Sequence, residues 1–101
     1  MARNIPIKRQ RLDDYLVKFK VKLDLTGRTF VLTITDQGTI DGVVEETYDA
    51  ATGFGTVSFD PADGSINMTE LVAGGYHYHV VMTTGGAERT LCNGAWAVED
   101  R

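Results

Sequence analysis

Alternating apolar and polar residues run through this sequence and predict β-strands. In residues 15–25 all six odd-numbered positions are apolar, whereas the even positions from 18 to 24 carry three lysines and an aspartate. Some of these apolar residues also fit helical spacing, but the strict alternation and the Val and aromatic content favour a half-buried strand. We therefore expect a first strand at residues 15–25 with its lysines on the outer face.

Further short strands are expected at close spacing along the chain. Residues 29–35, 39–46 and 54–60 show β-type patterns separated by turn-forming residues. In the last third, Gly85-Gly86 suits a two-residue hairpin turn between two strands. The side chains expected to face inwards in this last third are Tyr76, Tyr78, Val80, Met82, Trp96 and Val98.

Seven or eight short strands without a long helix predict an all-β fold, specifically a single antiparallel β-sandwich of the immunoglobulin-like kind. The 101 residues suffice for one domain, which we place at residues 12–101. Residues 1–11 are expected to form an extended basic N-terminal arm. In this arm Pro6 lies between Ile5 and Ile7, a pattern typical of an extended segment that becomes ordered when it docks.

The net charge of −4 conceals an asymmetry along the chain. Residues 1–22 carry seven basic and two acidic residues, a net +5, whereas residues 23–101 carry three basic and twelve acidic residues, a net −9. A basic leading segment indicates an acidic partner, and the two candidates are another copy of this chain and nucleic acid. The basic start lacks an apolar run behind it, and no stretch reaches membrane-spanning length, so neither a signal peptide nor a membrane partner is expected.

Several residues were considered for chemistry. His77 and His79 lie two apart on a strand, which suits half a metal site or a solvated sheet face. Cys92, the single cysteine, suits a nucleophile or a small buried hydrophobic residue. Asp36-Gln37-Gly38 resembles the loop of a dimeric aspartic protease, but Gln37 replaces the small hydroxyl residue of that loop and the pattern favours a hairpin turn. Residues 60–65 only faintly match a calcium loop. In each case we favour the structural interpretation, and we expect no enzyme, metal, cofactor or small-molecule substrate.

The basic residues are the better candidates for function. The lysine stripe of the first strand is either a solvated face, an edge protected by lysine against unwanted pairing, or an interaction surface continuous with the arm. The outer positions carry no aromatic residues for base stacking, and the body is acidic, so nucleic acid is an unlikely partner. The residues predicted to bind a partner are Arg3, Ile5, Ile7, Lys8, Arg9, Arg11, Lys18, Lys20 and Lys22.

The order of several motifs carries a resemblance to a known family. These motifs are the first strand at residues 15–21, Asp24-Leu25-Thr26-Gly27, the strand at residues 29–35, Asp63-Gly64-Ser65, Leu71, Gly74-Gly75-Tyr76-His77-Tyr78, Gly85-Gly86 and Leu91-Cys92-Asn93-Gly94-Ala95-Trp96-Ala97-Val98. Over residues 12–99 the sequence resembles the small immunoglobulin-like β-sandwich of tailed-bacteriophage structural proteins. That domain occurs at the amino terminus of upper baseplate proteins and related tail-fibre adaptors.

The resemblance implies a virion protein that acts by assembly with other virion proteins and with copies of itself. In baseplate proteins receptor-facing domains commonly follow the sandwich, whereas this sequence stops at Arg101, so an adaptor or decorating subunit of the tail, baseplate or fibre-attachment region is expected. The alternatives are a head decoration protein, an intracellular nucleic-acid binder, and a module that binds glycan or the host surface. The aromatic residues available to a sugar are Tyr48, Tyr76, Tyr78 and Trp96.

Overall fold

The computed structural model of the chain describes residues 3–12 and 14–99. The structure does not describe Met1, Ala2, Asp13, Asp100 and Arg101. The start of the predicted arm at residue 1 and the end of the predicted domain at residue 101 therefore lie outside the described residues. The strands are β1 (Arg3–Asn4), β2 (Ile7–Gln10), β3 (Val17–Val21), β4 (Thr29–Ile34), β5 (Gly38–Asp49), β6 (Phe54–Phe59), β7 (Gly74–Thr84) and β8 (Ala87–Glu99). Two 3₁₀ turns, Pro61–Asp63 and Met68–Glu70, lie between β6 and β7.

The eight strands form one curled mixed sheet, a half-barrel, in the order β1–β8–β7–β4–β5–β6–β3, with β2 following β1 along β8. The long strand β5 joins the two halves, because residues 38–41 pair with β4 and residues 42–49 pair with β6. Gly42 stands at the change of partner, and a Cβ atom there would lie 2.9 Å from Phe30, Phe59 and Val57. A larger residue would therefore prevent β5 from crossing so close to the core.

The all-β prediction is confirmed, but an antiparallel sandwich of two separate sheets is not. Strands β3 to β8 pair antiparallel with their neighbours, whereas β1 and β2 both run parallel to β8. Alternation of side chains determines which face of a strand is buried, but it contains no information on the direction of the neighbouring strand.

The expected arm is extended but belongs to the sheet of its own chain. Ile5 and Ile7 pack against the core, and the Ile5 amide donates a hydrogen bond to the Asn93 carbonyl at 2.8 Å. Tyr78 Oη donates to the Ile5 carbonyl at 2.5 Å. Residues 3–4 and 7–10 of the extended segment therefore pair with β8 of their own chain, and the two isoleucines bury apolar area against its core.

The predicted inward faces are largely confirmed. In β7, Tyr78, Val80 and Met82 are buried, and Trp96 and Val98 of β8 join them in a continuous core. The first strand is shorter than predicted, and Tyr15 is 78% exposed. The strand ends where the Leu23 amide donates to the Val21 carbonyl at 2.8 Å, a tight turn that interrupts the ladder.

The Gly85-Gly86 hairpin is also confirmed. Thr84 pairs with Ala87, so the loop has two residues, and both glycines have positive φ angles of 56° and 88°. This backbone conformation is the one that two-residue hairpins prefer and that glycine adopts without a steric penalty. The hairpin sets the register of β7 against β8 and thereby places the inner residues of β8 beside the N-terminal strands.

Candidate partner-binding cleft

A cleft opens between the two ends of the curled sheet, with β3 on one side and β1 and β8 on the other. Its volume is about 260 Å³. The residues that line it come from strands far apart in sequence, because the half-barrel brings its first and last strands to the same side. They are Arg3, Ile5, Phe19, Lys20, Val21, Lys22, Phe54, Val57, Val80, Arg89, Leu91 and Cys92.

The floor of the cleft is apolar. Val57 and Val80, on opposite halves of the sheet, are 0% and 1% exposed. Half-buried apolar side chains from the two ends of the sheet, among them Phe19 of β3 and Leu91 of β8, form the walls and pack against the core. An apolar group that entered the cleft would therefore contact core residues directly.

The rim of the cleft is basic. Arg3, Lys20, Lys22 and Arg89 are exposed and line the cleft, and none of the described residues that line it is acidic. Within residues 3–12 and 14–99, none of these four cations lies within ion-pair distance of a carboxylate. Positive charges at the mouth of an apolar cleft focus the electrostatic field there and attract anionic groups.

A neutral thiol lies at the base of the cleft. Burial raises the pKa of Cys92, and this effect exceeds the opposing effects of the Tyr78 hydroxyl and the Arg3 charge. Burial likewise raises the pKa of Tyr78 well above its ordinary value. The Cys92 thiol therefore keeps its proton at neutral pH, whereas nucleophilic catalysis needs the thiolate. His77 and His79 lie on the opposite face of β7 from the buried Tyr78 and Val80, away from Cys92.

Four of the nine predicted partner-binding residues meet in this cleft: Arg3, Ile5, Lys20 and Lys22. β3 is at the end of the sheet, so the lysine stripe does lie on an edge strand. The structure thus places part of the lysine stripe close to part of the N-terminal segment. The curl of the sheet brings these two groups of residues together. From the sequence, they were expected to be continuous because one follows the other along the chain.

The other five predicted residues lie outside the cleft. Lys8 Nζ is 3.4 Å from a Glu99 carboxylate oxygen, and Lys18 Nζ is 3.2 Å from a Glu45 carboxylate oxygen. Hydrogen bonds from Ser58 and from Lys18 lower the pKa of Glu45.

The remaining three residues belong to the N-terminal segment. The Arg9 guanidinium lies 5.8 Å from the centre of the Trp96 ring, and its Nη2 donates to the Tyr15 carbonyl at 2.7 Å. Ile7 packs against the core. Arg11 is exposed, and its amide donates to the Glu99 carbonyl at 2.8 Å.

Sequence reasoning missed the contribution of β8, above all Arg89 and Leu91. These two residues are more than 60 positions from the lysine stripe, and the alternation of β8 identifies only its inner face. Arg89 is one of three basic residues in the acidic part of the chain, and this rarity is the one sequence signal by which it could have been found.

The other motifs are structural in the described residues. Asp36 has a φ of 64° in the turn before β5, a conformation that Asp tolerates better than most residues, and the Asp60 side chain accepts from the Ala62 amide at 3.0 Å. No group of three or more His, Cys, Asp or Glu side chains in residues 3–12 and 14–99 is arranged to hold a metal ion. Of the four aromatic residues considered for sugar binding, Tyr78 and Trp96 are buried and Tyr48 is 47% exposed.

Comparisons with known proteins identify no family for this chain. No protein-family model and no curated protein matches the sequence significantly. In the part of the chain that the structure describes, no helix has the length and apolar character needed to cross a bilayer.

Proposed function

We propose that this chain is a non-enzymatic structural protein of a tailed-phage virion. It serves as an adaptor or decorating subunit of the tail, baseplate or fibre-attachment region, and it is made in the cytoplasm of the bacterial host. It works by assembly with other virion proteins and with copies of itself. The observation that carries the proposal is the basic, apolar-floored cleft, and the order of sequence motifs supports the virion context.

The resemblance to immunoglobulin-like sandwiches is retained as part of this proposal. The curled sheet corresponds to two facing layers that share the long strand β5, one ending in β8 with its N-terminal partners and the other ending in β3. Val57 from one layer and Val80 from the other line the same cleft, which supports the view that the layers face each other.

A protein partner suits both parts of the cleft. Apolar side chains of the partner would bury area against the floor, and burial of apolar surface is the main favourable contribution to protein association. Acidic side chains would lie beside Arg3, Lys20, Lys22 and Arg89 and would accelerate association by electrostatic steering.

Incorporation into particles tests the role of the cleft. The double variant K20Q/K22Q removes two rim charges, each worth up to about 1 kcal/mol with an exposed partner charge, so incorporation should fall about tenfold. The measurement is the amount of this protein in purified particles assembled with the variant in place of the wild type.

The matched control is K8Q/R11Q, which also removes two positive charges but from exposed side chains outside the cleft. It should be incorporated at the wild-type level. Wild-type incorporation of folded K20Q/K22Q, or an equal loss in both double variants, would refute the assignment of assembly to the cleft.

A further inference from the structure

The side of the cleft formed by β3 is an unpartnered strand edge. Among the described residues β3 pairs with β6 alone and is the last strand of the sheet. An additional strand can therefore pair along its other edge, up to Val21, whose carbonyl already accepts from the Leu23 amide. An extended peptide that pairs with such an edge gains main-chain hydrogen bonds, and its alternate side chains enter the pockets beside it.

The side chains of β3 determine which strand would fit. Phe19 and Val21 face the apolar walls of the cleft and pack against the core, whereas Lys18 and Lys20 are exposed on the other face. Lys22 continues the basic row just beyond the strand. A neighbouring strand shares this alternation, so its inward residues would meet apolar groups and its outward residues would meet ammonium groups.

We propose that the free edge of β3 binds an extended segment of a partner protein in which apolar and acidic residues alternate. This inference rests on the proposed assembly function and names the partner's chemistry and binding mode. The apolar residues enter the cleft beside Phe19 and Val21, and the acidic residues lie beside Lys20 and Lys22, since Lys18 is already paired with Glu45.

Like charge opposes direct pairing of β3 with the opposite end of the sheet. Arg3 and Arg89 line the cleft on the side opposite Lys20 and Lys22. Like charges on adjacent strands are destabilising, so direct pairing of the two ends would bring four uncompensated cations together. An acidic segment between the two ends would offset the positive charge of both.

A peptide-binding experiment with the full chain tests the inference. The probe is an acetylated, amidated eight-residue peptide of alternating Glu and Val, added to ¹⁵N-labelled protein and followed by NMR. We expect amide shift changes confined to β3 and the cleft residues, slower amide exchange along β3, and about tenfold weaker binding to K20Q/K22Q. A peptide of alternating Lys and Val has the same β-propensity and should not bind.

Two further probes distinguish strand pairing from attraction of any anion. Peptides N-methylated at all four Val or at all four Glu keep charge and apolar content but lose the amide donors of one edge, so at least one of them should lose binding at least tenfold. A short oligothymidylate supplies anionic charge without strand geometry. No binding of the Glu-Val peptide, undiminished binding of both methylated forms, or tighter binding of the oligonucleotide at the same amides would overturn the inference.

The two proposals fail separately. If the peptide does not bind but K20Q/K22Q still blocks incorporation, the cleft retains its assembly role and strand addition is wrong. If the peptide binds as a strand but K20Q/K22Q is incorporated normally, strand addition is correct and the assembly role of the cleft is wrong.

Discussion

At the scale of single residues, the pair formed by Tyr78 and Cys92 ties the N-terminal segment to the core. The hydroxyl of Tyr78 donates to the Ile5 carbonyl at 2.5 Å, and the same hydroxyl lowers the pKa of Cys92, although burial of the thiol outweighs this effect. Both side chains are buried, with Tyr78 0% and Cys92 4% exposed. Because desolvation disfavours the charged forms, the neutral thiol and the neutral phenol are the states compatible with this packing.

The raised pKa of Cys92 predicts a loss of stability in mildly alkaline solution. The unfolded thiol loses its proton near pH 8.5, whereas the folded thiol keeps it to a higher pH, so the unfolded state binds fewer protons above that point. The free energy of unfolding should therefore fall as pH rises from about 8.5 towards the raised pKa, by at most about 1.4 kcal/mol per pH unit.

Urea unfolding between pH 8 and pH 9.5 measures this slope, below the range in which tyrosines titrate. The Cys92→Ala variant lacks the ionisation, so its stability should depend less steeply on pH even if its absolute stability is lower. Parallel pH dependences of the wild type and the variant would show that the folded thiol titrates normally.

At the scale of secondary-structure elements, β1 and β2 depend on a close backbone approach at Gly94. A Cβ atom at position 94 would lie 2.4 Å from the Ile5 carbonyl oxygen and 2.8 Å from its carbonyl carbon. The carbonyl oxygen already accepts a hydrogen bond from Tyr78 Oη, and the Ile5 amide is held by its hydrogen bond to the Asn93 carbonyl. The absence of a side chain at Gly94 is therefore a condition for the N-terminal segment to lie on β8.

The Gly94→Ala variant should consequently displace the N-terminal strands. We expect destabilisation of about 1–3 kcal/mol, the usual cost of inserting a methyl group where there is no room, and faster exchange of the Ile5 amide. Gly75→Ala on β7 is the matched control, since nothing lies within 4 Å of the added methyl group. Equal effects of the two substitutions on urea unfolding, or an unchanged Ile5 exchange rate in Gly94→Ala, would contradict the proposed role of Gly94.

The same segment shows how far sequence reasoning reaches. Alternation correctly predicted that Tyr78 and Trp96 are buried, and turn chemistry correctly predicted the hairpin at Gly85-Gly86, because both signals are local. The pairing of residues 7–10 with residues 96–99 is a contact across almost the whole chain, and no local pattern encodes it. The lysine stripe is a local pattern, so its charges could be predicted to lie on one surface. The position of Arg89 beside it depends on a contact between distant parts of the chain, which no local pattern encodes.

At the scale of the whole molecule, one core spans both halves of the curled sheet. Val17, Val57 and Phe59 from the β3–β6 half belong to the same buried cluster as Val80 and Trp96 from the β7–β8 half. Strand β5 pairs with both halves. The cleft separates the ends of the sheet without dividing the core beneath it, so a partner bound there would rest on one rigid body.

A continuous core predicts a single cooperative unfolding transition. Trp96 is the single tryptophan and lies at the β8 end, where its ring is 5.9 Å from that of Tyr78. Far-UV circular dichroism reports on all strands together. Because neither half can bury its inner face without the other, the two signals should give the same urea midpoint and the same free energy of unfolding.

Amide hydrogen exchange tests the same prediction of a single cooperative unit residue by residue. The slowest amides of β6 and of β7 should exchange with the same free energy of opening, equal to the global value, although they lie in different halves of the sheet. The outermost strand β3 should open at lower free energy, since it has a neighbour on one side only among the described strands. If β6 amides opened well below the global value, or if Trp96 fluorescence changed at a different urea concentration from the circular dichroism, the halves would be separate folding units. The cleft would then be a hinge between two bodies. Part of the binding free energy of a partner strand would be needed to fix the two halves relative to each other.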